Sequence, residues 1–241
     1  MPSEGHSYRK RVRARGLVTF HVVIKETDLW VSADVNLERE TRDLAFECRA
    51  QVETYMSARP EFATSLVPLQ NDPYAPPVVR EMIDVTRKLG VGPMASIAGA
   101  IAQYVGGGLL KFTNQVVVEN GGDIFLKASR PVTISILAGA SPLSGRVGLL
   151  IPVRQMPLGV CSSSATIGHS LSMGIADVVC LVSSSAILAD GAATALGNKI
   201  KKKADLEKAS GWGHQFAGIV GGVIIVEDKM SVWGDVELVE I

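Results

Sequence analysis

Asp190 and Thr194 sit four residues apart in Ala189-Asp190-Gly191-Ala192-Ala193-Thr194. On a helix that spacing places them on one face, one turn apart. A carboxylate and a hydroxyl so placed can both reach one hard cation. They can equally be an acid in an N-terminal turn and a threonine in a core. A second acid, Asp123, closes Glu119-Asn120-Gly121-Gly122-Asp123, between the β-branched run from Val116 and the strand-like Ile124–Lys127. Asn-Gly between two such runs signals a hairpin. Paired glycines also let a ligand approach the backbone, whose N–H groups can face an anion. The third feature is a hydroxyl-rich stretch, Gly159-Val160-Cys161-Ser162-Ser163-Ser164-Ala165-Thr166-Ile167-Gly168-His169-Ser170. It reads either as a surface loop with a solvated histidine, or as a phosphate-binding loop with His169 as general acid or base. Gly197-Asn198-Lys199-Ile200-Lys201-Lys202-Lys203 attracts phosphate or simply ends a helix, where lysines suit the dipole.

These segments need elements to hold them. Gly16–Ile24 and Leu29–Asp34 flank a short polar turn and predict a hairpin. Asp34 or Asn36 caps a helix over 37–56, with Leu44, Ala45, Cys48, Val52, Tyr55 and Met56 at helical spacing, and Pro60 ends it. A proline-rich loop, 67–77, leads into a helix over 77–89 that Gly90 stops. Gly92–Val105 predicts a buried helix of small residues, closed by Gly106-Gly107-Gly108. Strands are expected over 115–118, 124–127, 132–138, 147–153, 178–182, 219–226 and 237–241. A helix over 188–203 and a short one over 205–210 interrupt them. The sum is an α+β fold, with a mixed or largely antiparallel sheet packed with helices, in a single domain over 1–241.

Bulk properties narrow the classes. The chain has 241 residues, formal net charge zero and 47% hydrophobic residues. A nucleic-acid binder usually carries a basic excess, so that class is disfavoured. Cys48, Cys161 and Cys180 make no CxxC and read as buried free thiols. The polar, basic residues 1–15 lack the apolar core of a signal peptide. The apolar stretch 175–196 carries Asp177 and Asp190, which argues against a membrane span. The expectation is a cytoplasmic protein with no membrane partner. Its Gly/Ala-rich helices and antiparallel edges also suit a homodimer. His6, His21 and His214 read as structural.

From 77 to 226 the sequence resembles the ApbE-type family of FAD:protein FMN transferases, and most of all a compact branch of anaerobic bacteria and archaea. Gly92-Pro93-Met94-Ala95-Ser96-Ile97-Ala98-Gly99-Ala100-Ile101-Ala102 is similar to that family's small-residue helix beside the flavin nucleotide. Asn120-Gly121-Gly122-Asp123-Ile124 is similar to its Gly-Gly-Asp loop. Ser185–Leu196 matches the stretch that supplies its metal-binding aspartate and threonine. The resemblance implies a T-fold-related, ApbE-like architecture with FAD or FMN and Mg²⁺ as cofactors. It places the metal on Asp190 and Thr194, with a backbone carbonyl near Ala98–Ala100. It places the nucleotide on Ala98, Gly99, Asn120, Gly121, Gly122, Asp123, Ser163 and Ser164, with His169 as the catalytic candidate. Two departures stand out. No Asp-Pro follows His169, and Gln103-Tyr104 replaces the family's Lys-Gly. Three functions stay open: transfer of FMN from FAD to a protein Ser/Thr; a binding or accessory role without transfer, which the resembled branch links to sulfide assimilation toward homocysteine; or a structural, oligomeric scaffold.

Overall fold

The computed structural model describes residues 16–165 and 173–241. Strands β1 (Val18–Ile24) and β2 (Thr27–Ala33) form the first hairpin, with Lys25 at φ 53° in its turn. Helix α1 (Glu38–Ala58) follows. Asn36 Oδ1 accepts the Glu38 N–H, whereas Asp34 accepts from Thr113, Asn114 and Gln115 and ties the end of β2 to the start of β3. A single turn, α2 (Glu61–Thr64), leads into the proline-rich loop. Helix α3 (Pro77–Leu89) has proline in its first turn, and Gly90 ends it at φ 77°. Both ends match their sequence signals.

The small-residue segment opens as a 3₁₀ turn, Pro93–Ser96, and becomes α4 (Ile97–Leu109). The glycine triple therefore does not close this helix; α4 runs through it. Packing overrides propensity here. A Cβ on Gly106 would meet the Phe125 ring at 2.1 Å, and one on Gly108 would meet Leu44 at 2.6 Å. Only glycine lets the helix approach so closely.

The remaining strands are β3 (Val116–Asn120), β4 (Asp123–Lys127), β5 (Val132–Ser135), β6 (Val147–Ile151), β7 (Leu158–Ser163), β8 (Val178–Ser183), β9 (Ile219–Val226), β10 (Lys229–Gly234) and β11 (Glu237–Glu240). Helices α5 (Ala186–Gly197) and α6 (Leu206–His214) lie between β8 and β9. The helix expected to reach residue 203 ends at Gly197. Residues 198–202 instead wind around Asp205, whose carboxylate accepts the Lys201 and Lys202 N–H groups. The reading of Gly159–Ser170 as a surface loop is corrected for its first half. Residues 158–163 are β7, a nearly fully buried inner strand between β4 and β8. Its serines disguised a period-2 strand.

Eight strands form one sheet in the order β1-β2-β3-β4-β7-β8-β9-β10, and β11-β6-β5 form a second. All pairings among the described residues are antiparallel. Alternation along the strands sends apolar side chains to both faces of the large sheet. Val116, Val118, Phe125 and Cys161 face α1, α3, α4 and α5. Val117, Ile124, Leu126 and Val160 face Val132, Ile134, Leu149 and Ile151 of the small sheet. The layers run helices, large sheet, small sheet, which is the α+β class expected. Cys48, Cys161 and Cys180 are buried and form no disulfide with one another. Among the described residues no helix is long and apolar enough to cross a membrane.

Candidate functional site

Asn120 and Asp123 flank a two-residue turn. They are paired in register, and Gly121 adopts φ 71° as that turn demands. The hairpin reading of this segment is therefore correct. Its polar ends also point to one side: Asn120 lies two residues beyond Val118 and Asp123 two before Phe125, so both project from the helix-facing side of the sheet. The register Ile124↔Val160 carries Asp123 opposite Cys161 on β7. Asp123 Oδ1 accepts the Ser162 N–H at 3.2 Å.

Across from this edge, α4 and α5 meet almost backbone to backbone. A Cβ on Gly99 would stand 2.4 Å from the Ala186 carbonyl oxygen and 2.8 Å from Asp190 Cβ. Asp190 Oδ2 accepts the Gly99 N–H at 2.8 Å. The nearby Ala98 amide also favours the charged form of this carboxylate. Both groups belong to the first turn of α4, whose N–H groups have no partner within the helix. Asp190 thus caps α4 from another helix, where a negative charge meets the positive dipole end. The Ala98 carbonyl accepts Asn120 Nδ2 at 3.1 Å. One short stretch of α4 therefore binds the hairpin through the Ala98 carbonyl and α5 through the Gly99 amide.

The electrostatics are adverse. Asp123, Asp190 and Thr194 are each 8% exposed. Burial, then the charge of Asp123, push the Asp190 carboxyl well above the usual carboxylate range, against the lowering effect of the Gly99 and Ala98 amides. The Cys161 thiol, whose Sγ donates to the Ala186 carbonyl, lies beside both acids; burial first and their charges next raise it well above its ordinary value. Ser163, on the same side of β7, is 3% exposed, and its hydroxyl has no hydrogen-bond partner among the described residues. An orphaned buried hydroxyl is costly unless something else satisfies it.

Sequence reasoning singled out residues that the structure places as follows. Ala98, Gly99, Asn120, Asp123 and Asp190 are joined by the contacts above. Thr194 sits one turn along α5 from Asp190 and is also buried. Gly121 is exposed and Gly122 half-buried at the hairpin tip; Ser163 ends β7, and half-buried Ser164 follows it. His169 lies outside the described residues. Two neighbours were missed. Cys161 was legible as the residue between Gly159 and Ser163 in a period-2 pattern. Gln103 was visible only as a departure from a family pattern. Its Oε1 accepts the N–H of Ala186, the first residue of α5, at 2.7 Å.

The oxygen donors suit a hard divalent cation. Two buried carboxylates, a hydroxyl and a backbone carbonyl are the ligand types Mg²⁺ takes. A positive charge there would relieve the repulsion between Asp123 and Asp190. Among the described residues no group of three His, Cys, Asp or Glu side chains gathers as a metal site. The cation would thus complete its shell with hydroxyl, backbone, water or ligand oxygens, the usual habit of Mg²⁺.

The fold defines the class first. The chain superposes on the apo flavinyl transferase ApbE of Pseudomonas stutzeri with a TM-score of 0.62 and 13% identity, covering 92% of this chain and 94% of that one. For the ApbE protein of Thermotoga maritima the values are 0.59 and 11%, with 91% and 97% covered. At that identity the likeness shows an ApbE-like fold and nothing finer. Sequence then places the chain more narrowly. A family model described as AbpE bacteria matches residues 9–216. A UPF0280 protein of Methanocella arvoryzae is 41% identical over 212 residues, covering 88% of this chain and 86% of that protein. One from Methanosarcina acetivorans is 36% identical over 225 residues, covering 92% and 88%. The chain belongs to this ApbE-like UPF0280 family.

Proposed function

We propose that the site formed by α4, α5 and the 120–123 hairpin binds a flavin nucleotide together with Mg²⁺. The observation that carries this reading is the buried Asp123–Asp190 pair, desolvated and mutually repelling beside a helix start and an orphaned serine hydroxyl. Asp190 and Thr194 would hold the cation, with the Ala98 carbonyl and Asp123 close by. The Gly121–Gly122 tip admits a flat ring against backbone, and the Ala/Gly face of α4 walls it. Ser163, and Ser164 just after it, would donate to ligand oxygens. When bound, Mg²⁺ supplies charge neutralisation at a pyrophosphate.

The reaction this arrangement suits is transfer of FMN. A Ser or Thr hydroxyl of an acceptor protein attacks the FMN-side phosphorus of FAD. The phosphoanhydride bond breaks, AMP leaves, and the hydroxyl proton passes to a base, for which His169 is the candidate. The chain's own part is to orient the anhydride and exclude water. A second reading, binding without transfer, is favoured by Gln103. It stands where the resemblance expects lysine, and its polar end is engaged between helices. That role would fit an accessory protein, including one in sulfide assimilation toward homocysteine. Neither reading needs a nucleic acid or a membrane, and each is compatible with a homodimer in the cytoplasm.

The experiment is incubation of the chain with FAD, Mg²⁺ and a panel of Ser/Thr-containing acceptor peptides, followed by chromatography for AMP. Transfer predicts AMP in step with a flavin-labelled acceptor. FAD retained intact supports binding alone. Neither AMP nor retained FAD removes the flavin reading altogether.

A further inference from the structure

The contact between α4 and α5 is closed by two hydrogen bonds that run in opposite directions. Asp190 of α5 accepts the Gly99 N–H of α4 at 2.8 Å. Gln103 Oε1 of α4 accepts the Ala186 N–H of α5 at 2.7 Å. Gly99 and Gln103 are one turn apart on α4, and Ala186 and Asp190 are one turn apart on α5. The four residues make a rectangle whose long sides are helix turns and whose short sides are the two bonds. Each helix start is thereby capped by a side chain of the other. The second contact of Gln103 is with α3, where its Nε2 donates to Glu81 Oε1 at 3.3 Å.

Two features make this more than a surface contact. Ala186 is fully buried, so its N–H has no water to fall back on. The helices are also in close contact here, since Gly99 has no room for a methyl group facing the Ala186 carbonyl. Ser185 Oγ accepts the Leu188 N–H of the same turn. Loss of the Gln103 acceptor would leave a buried donor at the start of α5, which the helix can relieve only by turning or shifting. Such a movement carries Asp190 and Thr194 with it.

We infer that Gln103 is a positioning residue for the candidate site: it fixes α5 against the first turn of α4, and through that sets where Asp190 and Thr194 point. The inference rests on the reading of Asp190 and Thr194 as cation-holding groups, but its structural half stands apart from any ligand. Gln103 acts through the helix pair and takes no part in bond making.

The test uses the isotope-labelled full chain with Gln103→Met, Gln103→Lys and the pair Gln103→Glu with Glu81→Gln. Methionine keeps the length and lacks the acceptor. Lysine is the second variant without an acceptor should methionine prevent folding. The double variant restores an acceptor oxygen and removes the Glu81 charge that would face it. Amide hydrogen exchange is read at Gly99, at Ala186 and in β8, and FAD affinity is read with and without Mg²⁺. The expected result is exchange about tenfold faster at both Gly99 and Ala186 in the acceptor-less variants, with β8 unchanged. FAD affinity in Mg²⁺ should fall about tenfold in the same variants, and both effects should return to wild-type level in the double variant. Faster exchange at Ala186 alone, with Gly99 protection and affinity intact, would overturn the inference by showing a local cap. Failure of rescue by the acceptor-restoring pair would overturn it too. A wild-type chain that binds no FAD in Mg²⁺ would instead defeat the proposed function, while the exchange pattern still reports on the helix brace.

Discussion

Asp190 is attracted by the α4 amides and repelled by Asp123, and burial decides the balance in favour of a raised pKa. Its folded-state pKa lies above the ordinary 3.8, so the folded chain holds a proton that the unfolded chain has released. The stability this contributes is full below 3.8 and is lost as pH rises through the folded pKa. At neutral pH, where the unfolded chain is ionised at this group, burying the carboxyl is therefore a liability in metal-free protein. Asp190→Asn keeps an acceptor for Gly99 and removes the repulsion. In EDTA at pH 7 it should melt about 3 °C higher than wild type, the scale of roughly 1 kcal/mol in a chain of this size. The same variant should lose any Mg²⁺-dependent rise in melting temperature. A gain in one and a loss in the other is what a site held under strain predicts. At this scale the sequence was informative about residue types: Asp123, Asp190 and Asn120 were all visible. That Asp190 caps α4 was not visible, because the bond joins residues 91 positions apart. No local pattern encodes such a pairing.

Among the elements, α4 is the one on which the others converge, and its glycines differ in kind. Gly99 faces the α5 backbone, whereas a Cβ on Gly107 would meet nothing within 4 Å. Gly99→Ala must push the helices apart and break the Asp190 cap, at a cost of about 2–3 kcal/mol. Gly107→Ala should stabilise by roughly 0.5–1 kcal/mol, because alanine loses less backbone entropy in a helix. Urea denaturation of the two variants checks both signs together. The boundaries of α3 were legible because Pro77 and Gly90 are local signals. The glycine triple misled because glycine usually ends helices, and here it serves contact with Phe125 and Leu44 instead. Strand β7 was hidden for a related reason. Its serines suggest solvent, yet Ser163 is buried by a sheet that only the whole chain assembles.

At the level of the molecule, the large sheet separates two tasks. Its helix-facing side carries the candidate site, and its other side packs on β5, β6 and β11. Leu149, fully buried between the sheets, belongs to the second. Leu149→Ala should cost about 3 kcal/mol by chemical denaturation. It should leave FAD affinity within about twofold of wild type, since distant sites act independently. A parallel loss of affinity would show that the layers are coupled. The α+β class and the ApbE-like resemblance were legible from ordered motifs along the chain. The two-sheet arrangement was not, because β11 pairs with β6 across the whole of residues 152–236.

Whether the buried acid pair serves a metal-dependent nucleotide site is decided by calorimetric titration of FAD into the purified chain, in Mg²⁺ and in EDTA, for wild type and Asp190→Asn. A one-to-one complex is expected in Mg²⁺, weakened at least about tenfold in EDTA and equally in the variant. FAD binding that is absent, or that ignores both Mg²⁺ and the loss of the Asp190 carboxylate, would contradict that site.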